Sequence, residues 1–383
     1  MGDGKGIYAF DLCPNTGKLT QKGDAVEVRP NPAFLLKHPT LPIIYGSTER
    51  IDASGEIFTL EIDSNSQAGI RLSDAPRRQA GGRSTCYLNI SGDQRTMTAV
   101  NYWDAKVTTL KMSTEGGLSE VASTISMPGS EYVDEHNPDR VEHWQYRQRW
   151  PHTHCAVTEP YTGRGTMFVC DLGRDCIVQL KATSSGLENV GEVQLEKGLG
   201  PRHCVFHPHV QTCYVVNELT SSVSSFRFNP DGTLSGNAME SGCILEHMQT
   251  ISTLPVDWQD KQTIKNGVWK AASHCSEIRI HPSGKLLFVG NRGHDSLAIF
   301  HIDQLTGMLS LASIPSTNGG CPRNYNFSTS GRWVIAGNQD SSELCVFECN
   351  VAKGTLELAH RVECPAPNFV YTVPHTLCPT EFN

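Results

Sequence analysis

Histidine, arginine and glutamate residues recur at matched places in a repeated strand pattern of this sequence. His154, Arg202 and Arg323 occupy one such place, and the next residue is His203 in one copy and Glu277 in another. Arginine stays charged, and its planar fork binds phosphate or carboxylate groups in a bidentate manner. Histidine and glutamate can accept a proton from water or from a substrate. Together these residue types are suited to binding an anion and activating a water molecule beside it.

A second group of polar residues ends the strand that follows in each repeat. It consists of three pairs in matching positions: Asn217–Glu218, Asn291–Arg292 and Asn338–Gln339. If the repeats are arranged around a common axis, residues at matching positions lie at the same end of that axis. Arg202, Arg292 and Arg323 would then form a cationic collar around it. Glu218 and His154 are the two candidates for the proton acceptor, and the nearby arginines would help to fix their protonation states.

Other interpretations of these polar residues stay open. Asparagine at a strand end often ties a turn through side-chain hydrogen bonds, so each of the three asparagines could be structural. His38, His207 and His281 each precede a proline, which favours a role in a turn. A metal site is a weaker alternative and would use four histidines: His152, His154, His203 and His274. Arginines in the same positions would repel a cation, so neither a metal nor another cofactor is predicted.

The elements that would position these residues come from an internal repeat. A short strand-like run recurs at 31–39, 84–92, 152–160, 200–208, 275–282 and 322–330, with a further copy at 366–373. The aligned runs place seven residues in one slot, 45 to 74 residues apart: Ala33, Cys86, His154, Arg202, Ser276, Arg323 and Asn368. A second strand, apolar and then polar, follows each of the first six runs. Third strands alternate with period two, and a turn containing glycine, followed within two residues by leucine, opens most of the fourth strands.

Four strands in each repeat are typical of a propeller blade. Six full repeats and a divided seventh predict an all-β fold, a seven-bladed β-propeller with four-stranded blades. The N- and C-terminal strands would share the closing blade, with the inner strand at 366–373 and the outer strands formed by GIYAFDL and KLTQKGDAV. Residues 1–383 are expected to be a single domain, with loop insertions near 128–150 and 255–272 that could cover the channel mouth.

Composition limits the partners that this chain is expected to have. A formal net charge of −8 argues against nucleic acid or an anionic membrane surface. No segment approaches the roughly 20 apolar residues of a membrane-spanning helix, and the first residues lack a signal-peptide pattern, so a cytoplasmic protein is expected. The 14 cysteines include no CxxC pair and many fall within apolar strands, which predicts core thiols. A monomer or a weak homo-oligomer is expected.

Several runs of the sequence resemble one protein family. They are HTHC (152–155), GPRHCVFHP (200–208), VVNEL (215–219), SEIRIHP (276–282), GNRGHDS (290–296) and CPRNYNFS (321–328). The chain looks like a member of the lactonase family of seven-bladed β-propellers, which includes propeller-type 6-phosphogluconolactonases and carboxy-cis,cis-muconate cyclases. Members usually begin with a strand of the form VGTYT. The given sequence does not include that strand ahead of GIYAFDL, so the closing blade is expected to lack its second strand.

The resemblance implies an active centre formed by four residues: His154, Arg202, Glu218 and Arg292. It implies hydrolysis of a small anionic sugar lactone, most closely 6-phosphogluconolactone to 6-phosphogluconate, by a water molecule that histidine or glutamate activates, without a cofactor. Six further residues are expected to bind the substrate: His152, His203, Asn217, Glu277, Asn291 and Arg323. A cyclase of the muconate type would use the same residues, and a propeller that only binds partners is the remaining alternative.

Overall fold

Antiparallel β-sheets account for nearly all the regular structure of the chain. The computed structural model describes residues 4–130, 147–183, 186–230, 244–258, 261–265 and 268–374. Six sheets of at least four strands are each formed by a continuous stretch of the sequence, and the innermost strands of successive sheets contact one another. The all-β propeller that the repeat predicts is therefore confirmed. In the part of the chain that is described, no helix is long and apolar enough to cross a membrane.

The N-terminal half of the chain forms the first blades of the ring. A two-stranded sheet comes first, with strands β1 (Gly6–Leu12) and β2 (Leu19–Glu27). Blade 1 contains β3 (Pro32–Lys37), β4 (Ile43–Thr48) and β5 (Ser54–Ile62), with β6 (Ile70–Leu72) and β7 (Arg78–Arg83) both paired to β5. Blade 2 contains β8 (Thr85–Ile90), β9 (Thr96–Asn101), β10 (Lys106–Met112) and β11 (Leu118–Ser126). Blade 3 contains β12 (Thr153–Thr158), β13 (Met167–Asp171), β14 (Cys176–Thr183) and β15 (Gly186–Gln194).

The C-terminal half continues the same four-stranded pattern. Blade 4 contains β16 (Pro201–Phe206), β17 (Thr212–Asn217), β18 (Ser222–Phe228) and β19 (Leu245–Ser252). A 3-10 turn (Val256–Trp258) and a hairpin of β20 (Gln262–Lys265) and β21 (Val268–Ala271) follow. Blade 5 contains β22 (His274–Ile280), β23 (Leu286–Arg292), β24 (Ser296–Ile302) and β25 (Leu309–Ser313). Blade 6 contains β26 (Pro322–Phe327), β27 (Trp333–Asn338), β28 (Glu343–Asn350) and β29 (Thr355–Glu363).

Apolar side chains fill the space between adjacent blades. Phe168 of blade 3 and Phe206 of blade 4 belong to one buried cluster, and their ring centroids are 5.4 Å apart. Cys155, Cys170 and Cys204 belong to the same cluster and are free thiols. Burial of this apolar surface drives the sheets together, so the interpretation of these cysteines as core residues is confirmed.

The sheet of β1 and β2 forms the closing blade between blades 6 and 1. Side chains alternate along β1, so Tyr8 and Phe10 pack on a cluster of blade 6 while Ile7 packs on a cluster of blade 1. A two-stranded hairpin is only marginally stable in water by itself. Its two apolar faces therefore depend on the neighbouring blades on both sides.

The C-terminal run does not form the strand that the sequence predicts, and this part of the prediction is wrong. Residues 366–373 belong to no sheet of the described chain, because they form no ladder of backbone hydrogen bonds with a neighbouring strand. Side chains hold the segment instead: Val370 N donates to Asn324 Oδ1 at 3.0 Å, and Asn368 Nδ2 donates to the Pro32 carbonyl at 2.8 Å. The segment thereby bridges the inner strands of blades 6 and 1.

Each inner strand has a register shift at the slot that the repeat alignment identifies. The shifts fall at residues 33, 86, 154, 202, 276–277 and 323. Such a bulge sets two residues opposite one and interrupts the alternation of side chains between the two faces. Consecutive residues of an inner strand can therefore both face the central channel.

The two insertions differ in their relation to the channel. Arg147 and Trp150, at the end of the first insertion, line the central cavity, in agreement with a role at its rim, while residues 131–146 lie outside the described part of the chain. In the second insertion, Trp258 packs edge-on against His294, with ring centroids 4.8 Å apart. None of the described residues of that second insertion lines the cavity, so the structure does not support a role at the channel mouth for them.

Trp333 joins the closing blade to blade 6 and is expected to be a major contributor to stability. Its side chain is buried in the cluster with Leu19, and its Nε1 donates to the Pro14 carbonyl at 2.9 Å. Trp333→Ala should lower the free energy of unfolding by about 3–5 kcal/mol, because it leaves a large cavity. Denaturant unfolding would measure this, with Trp258→Ala on the second insertion as the control. Equal losses in the two variants would contradict the interpretation.

Candidate active site

The channel end of the inner strands surrounds a cavity of about 390 Å³. Six of the seven slot residues line it: Ala33, Cys86, His154, Arg202, Arg323 and Asn368. The seventh, Ser276, contributes its backbone carbonyl, which accepts a hydrogen bond from Arg202 Nη1 at 2.5 Å. Eight of the ten residues predicted to act in the site line the same cavity: His152, His154, Arg202, His203, Glu218, Glu277, Arg292 and Arg323.

Three guanidinium groups surround the buried carboxylate of Glu218. Arg147 Nη1 donates to Oε1 at 2.5 Å, and Arg292 Nη2 lies 2.9 Å from the same oxygen. Arg202 Nε is 3.0 Å from Oε2, but its N–H does not point at that oxygen, so this contact is an ion pair rather than an aligned hydrogen bond. One carboxylate thus faces three cations, and the group has an excess of two positive charges.

Hydrogen bonds to backbone carbonyls place Glu218 and Arg292 beside the inner strands. Glu218 lies just past the end of β17, where its N–H donates to the Gly200 carbonyl at 2.8 Å. Gly200 has a φ of 63°, and a Cβ there would lie 2.5 Å from Leu219 Cγ, so this approach requires glycine. Arg292 Nη2 donates to the Cys275 carbonyl at 2.6 Å, which fixes its guanidinium against blade 5.

The charges of this cluster determine the protonation state of Glu218. Burial alone would raise the pKa of this carboxyl, but Arg147, Arg292 and Arg202 outweigh it and hold the pKa well below its usual value. Burial and the charge of Arg292 lower the pKa of Arg202 to about 10. Glu218 is therefore ionised and the arginines are charged at neutral pH.

His154 is buried beside this cluster and is held in its neutral form. Burial, with the charges of Arg202 and His203, lowers the pKa of His154 well below its ordinary value. Its ring lies edge-on to Tyr102, with centroids 5.3 Å apart, and edge-on to His203, with centroids 4.9 Å apart. Its Nδ1 has no hydrogen-bond partner among the described residues. His154 therefore places a neutral imidazole at the wall of the cavity.

His203 and Glu277 form a second polar pair at the cavity wall. His203 Nδ1 lies 3.4 Å from Glu277 Oε1, and Asn324 Nδ2 donates to Glu277 Oε2 at 2.5 Å. Burial would raise the pKa of Glu277, but Arg279 and His203 lower it to about 2. The guanidinium of Arg202 lies 3.4 Å from the His203 ring nitrogens. This pair therefore contacts both Arg202 and His154 through the His203 ring.

His152 occupies the edge of the same wall. It stacks on Tyr102 with ring centroids 4.5 Å apart, and its Nδ1 lies 3.1 Å from the Tyr102 carbonyl. Burial lowers the pKa of His152 to about 4. The imidazole is therefore neutral, and its contacts hold the Tyr102 ring at the cavity.

Comparison with known proteins identifies the family of this chain. The model of the family described as "Lactonase, 7-bladed beta-propeller" matches residues 1–372. The chain belongs to this family. The match confirms the resemblance drawn from the sequence motifs. The seven blades of its description agree with six sheets of at least four strands together with the two-stranded sheet of β1 and β2.

Other lactonase-family proteins match this chain over nearly its whole length. The 6-phosphogluconolactonase of Bacillus subtilis is 28% identical over 377 residues, covering 98% of this chain and 94% of that protein. The 6-phosphogluconolactonase of Formosa agariphila is 26% identical, covering 92% of this chain and 91% of its own. The structure of the periplasmic gluconolactonase of Pseudomonas aeruginosa is 24% identical with a TM-score of 0.77, covering 95% and 94% of the chains, and shows the same fold.

Two predicted substrate-binding residues, Asn217 and Asn291, do not line the cavity, so their assignment is corrected. Both are fully buried at the ends of second strands. Asn217 Nδ2 donates to Ser222 Oγ at 2.9 Å, and Asn291 Nδ2 donates to the Thr253 carbonyl at 2.9 Å. The first bond lies within blade 4, and the second ties β23 of blade 5 to the segment that follows β19 of blade 4. The structural interpretation of these asparagines is therefore the right one.

The His-Pro histidines are also structural. Nε2 of His207 lies 2.7 Å from the Gly284 carbonyl, and Nε2 of His281 lies 2.8 Å from the Gly331 carbonyl. The His38 Nδ1 accepts the Leu41 N–H at 3.1 Å. Each histidine thus holds a turn, as predicted.

Tyr102 and Arg147 are two of the cavity residues that the sequence analysis did not single out. Tyr102 follows Asn101 just as Glu218 follows Asn217 and Arg292 follows Asn291, so the repeat carried a signal for it. Arg147 lies in an insertion that has no counterpart in the other repeats. Only its contacts with Glu218 and Tyr102 reveal its place in the site.

Potential metal ligands cluster at one place in the described residues, and it is not this cavity. Donor atoms of Cys155, Cys170 and Cys204 lie within 4.8 Å of one another. These thiols are part of the hydrophobic core between blades 3 and 4, and burial raises the pKa of Cys155 and of Cys170. The four histidines considered as metal ligands form no comparable group in the described chain.

Proposed function

We propose that this protein hydrolyses a sugar lactone and that its substrate is 6-phosphoglucono-1,5-lactone. The observation that carries the proposal is a cluster of three arginines at the wall of one cavity. Arg147, Arg202 and Arg292 each have a nitrogen within 3.0 Å of the Glu218 carboxylate, and His154 lines the same cavity. Charged and polar groups that converge on one cavity favour a polar ligand there.

The charge of the site favours an anionic substrate. Three arginines face the single carboxylate of Glu218 and leave an excess of two positive charges. A phosphate monoester carries a charge of about −1.5 to −2 at neutral pH, which would balance that excess. The other charged residues of the cavity wall are paired, Arg323 with Glu49 at 4.0 Å and Glu277 with Arg279 at 3.6 Å, so they leave this excess unchanged. The names of the Bacillus subtilis and Formosa agariphila relatives support the same substrate.

His154 is the group that we propose as the general base. Glu218 is ionised, but three arginines stabilise its charge so strongly that it is a very weak proton acceptor. His154 is neutral, lines the cavity, and has a ring nitrogen without a hydrogen-bond partner among the described residues. Of the two candidates left open by the sequence, the imidazole is therefore the better base at neutral pH.

The proposed reaction uses these groups in two steps. A water molecule attacks the lactone carbonyl carbon as its proton passes to His154, and the carbonyl electron pair moves onto oxygen. Arg202 and Arg292 stabilise that oxyanion. When the carbonyl re-forms, the bond to the ring oxygen breaks, and this oxygen takes the proton from His154. Glu218 keeps its charge throughout and holds the guanidinium groups in place.

Hydrolysis of freshly prepared 6-phosphogluconolactone tests the proposal directly. The product would be followed with 6-phosphogluconate dehydrogenase, with spontaneous ring opening subtracted. We expect acceleration well above background that falls by at least about tenfold in Arg292→Met. Arg332→Met, which removes an exposed arginine of blade 6, serves as the matched control. No acceleration by the wild-type protein would contradict the proposal, and lactonisation of a carboxymuconate would then be measured.

A further inference from the structure

We propose that Arg147 is a specificity-determining residue that selects lactones carrying an anionic substituent. The inference rests on the proposed lactone hydrolysis and names the part of the site that recognises the substituent. Arg147 belongs to the end of the first insertion, whereas Arg202 and Arg292 belong to the strands of blades 4 and 5.

Arg147 is the most accessible of the three arginines around Glu218. Its side chain is 26% exposed, against 6% for Arg202 and 17% for Arg292. The two deeper guanidinium groups are held against inner strand β22 through the Cys275 and Ser276 carbonyls, and the charge of Arg202 acts on His154, where we propose that the lactone carbonyl reacts. Arg147 therefore lies closer to the entrance and is placed to contact a substituent away from the reacting carbon.

The contacts of Arg147 leave it able to bind a second anion. It shares Glu218 Oε1 with Arg292, so the carboxylate does not depend on Arg147 alone for its charge balance. Its Nε and Nη2 donate to the hydroxyl of Tyr102 at 3.2 and 3.1 Å. A phosphate has more negative charge than a hydroxyl oxygen and would compete for the same fork of donors.

The segment that carries Arg147 is fixed to the ring independently of Glu218. Gln148 Nε2 donates to the Leu172 carbonyl at 3.0 Å and to Asp175 Oδ1 at 2.7 Å. Asp175 Oδ1 also accepts the Gly200 N–H at 2.7 Å, just before β16. The position of the Arg147 backbone is therefore set by blades 3 and 4, which favours a preformed binding group over a loop that orders only with substrate.

Interactions with a remote substituent improve the reaction only for substrates that carry it. A lactone without a charged group would use the carbonyl-binding arginines and His154 but would gain little from Arg147. The ratio of kcat/KM for a phosphorylated and an unphosphorylated lactone therefore measures the role of Arg147 separately from the chemistry.

The test compares Arg147→Gln with Arg149→Gln on 6-phosphoglucono-1,5-lactone and glucono-1,5-lactone. Both variants remove one positive charge from the same segment, but Arg149 is exposed and lies over the Trp150 ring instead of contacting Glu218. We expect Arg147→Gln to lower kcat/KM for the phosphorylated lactone at least about tenfold, mainly through KM, and the unphosphorylated one less than about threefold. Arg147→Lys should restore part of the loss, and Arg149→Gln should resemble the wild type.

The outcomes separate this inference from the proposed function. A wild-type protein that hydrolyses neither lactone would overturn both. Hydrolysis by the wild type, with equal losses on both lactones in Arg147→Gln, would leave the function standing and overturn the role of Arg147. If only the phosphorylated lactone is hydrolysed, inhibition by 6-phosphogluconate and by gluconate gives the same comparison. In that case an unchanged ratio of the two inhibition constants in Arg147→Gln would overturn the inference.

Discussion

Replacing His154 with glutamine should lower kcat for lactone hydrolysis by about 10²–10⁴-fold, the usual contribution of a general base. Glutamine keeps a polar group of similar size but cannot accept the proton of the attacking water. His154 is buried with Nδ1 unpaired among the described residues, so the variant should fold normally. Turnover would be measured with saturating 6-phosphogluconolactone, and His209→Gln on an exposed turn is the matched control. Turnover within a factor of three of the wild type would show that another group activates the water.

The pH profile of the wild-type protein provides a second measurement of the same role. The environment of His154 lowers its pKa, so the neutral and active form persists below the pH at which an exposed histidine would be protonated. The rate should therefore stay constant as the pH falls through about 6.5 and decline only as the lowered pKa is approached. His154→Gln should lose this acidic limb. A rate that already halves near pH 6.5 and keeps this limb in His154→Gln would contradict the assignment.

Replacing Glu218 with glutamine should lower both stability and activity. The substitution removes the only carboxylate within 4 Å of three buried or half-buried arginines in the described structure. Breaking a buried ion pair by removing one partner typically costs about 3–5 kcal/mol, because charge is left uncompensated. We expect a loss of this size in the free energy of unfolding, measured with denaturant, and a fall in kcat/KM of at least about a hundredfold.

The repulsion among the arginines gives this prediction its control. Adding Arg147→Gln to Glu218→Gln removes one of three like charges and should recover part of the lost stability. If Glu218 instead acted as the base with no role in charge balance, Glu218→Gln would lower kcat without lowering stability. If Glu218→Gln unfolded at the same denaturant concentration as the wild type, the interpretation of Glu218 as the anion that holds the arginines would be contradicted.

The propeller was predictable because its signal is local and repeated. Each blade repeats the same apolar and polar alternation, and a run such as 322–330 predicts its strand, Pro322–Phe327, with little error. The C-terminal run at 366–373 has the same pattern but is not a strand, since a strand also needs a hydrogen-bonded neighbour. The alternation of apolar and polar residues determines which face of a segment is buried. Whether that segment pairs with another strand depends on the rest of the ring.

The sequence predicted which position of each repeat contributes side chains to the candidate site. Alignment of the repeats placed His154, Arg202 and Arg323 at one point of the channel, and all three line the cavity. The same alignment did not distinguish Asn217 from Glu218, although one residue is structural and the other faces the cavity. Asn217 and Glu218 differ in role because the chain turns between them at the end of the second strand. The two residue types do not show on which side of that turn each side chain lies.

The sequence by itself determined the repeat, the propeller class, the family and most of the polar residues that meet in the channel. These follow from periodicity and from motifs, which depend on neighbours along the chain. Only the tertiary structure decided that a bulge at each slot turns pairs such as Arg202 and His203 to the same cavity. It also brought Arg147 to Glu218, 71 residues away, and this contact supports our proposal that His154 rather than Glu218 is the base. Charge and burial act through space, and their effect on a carboxylate or an imidazole appears only once the distant residues that surround it are known.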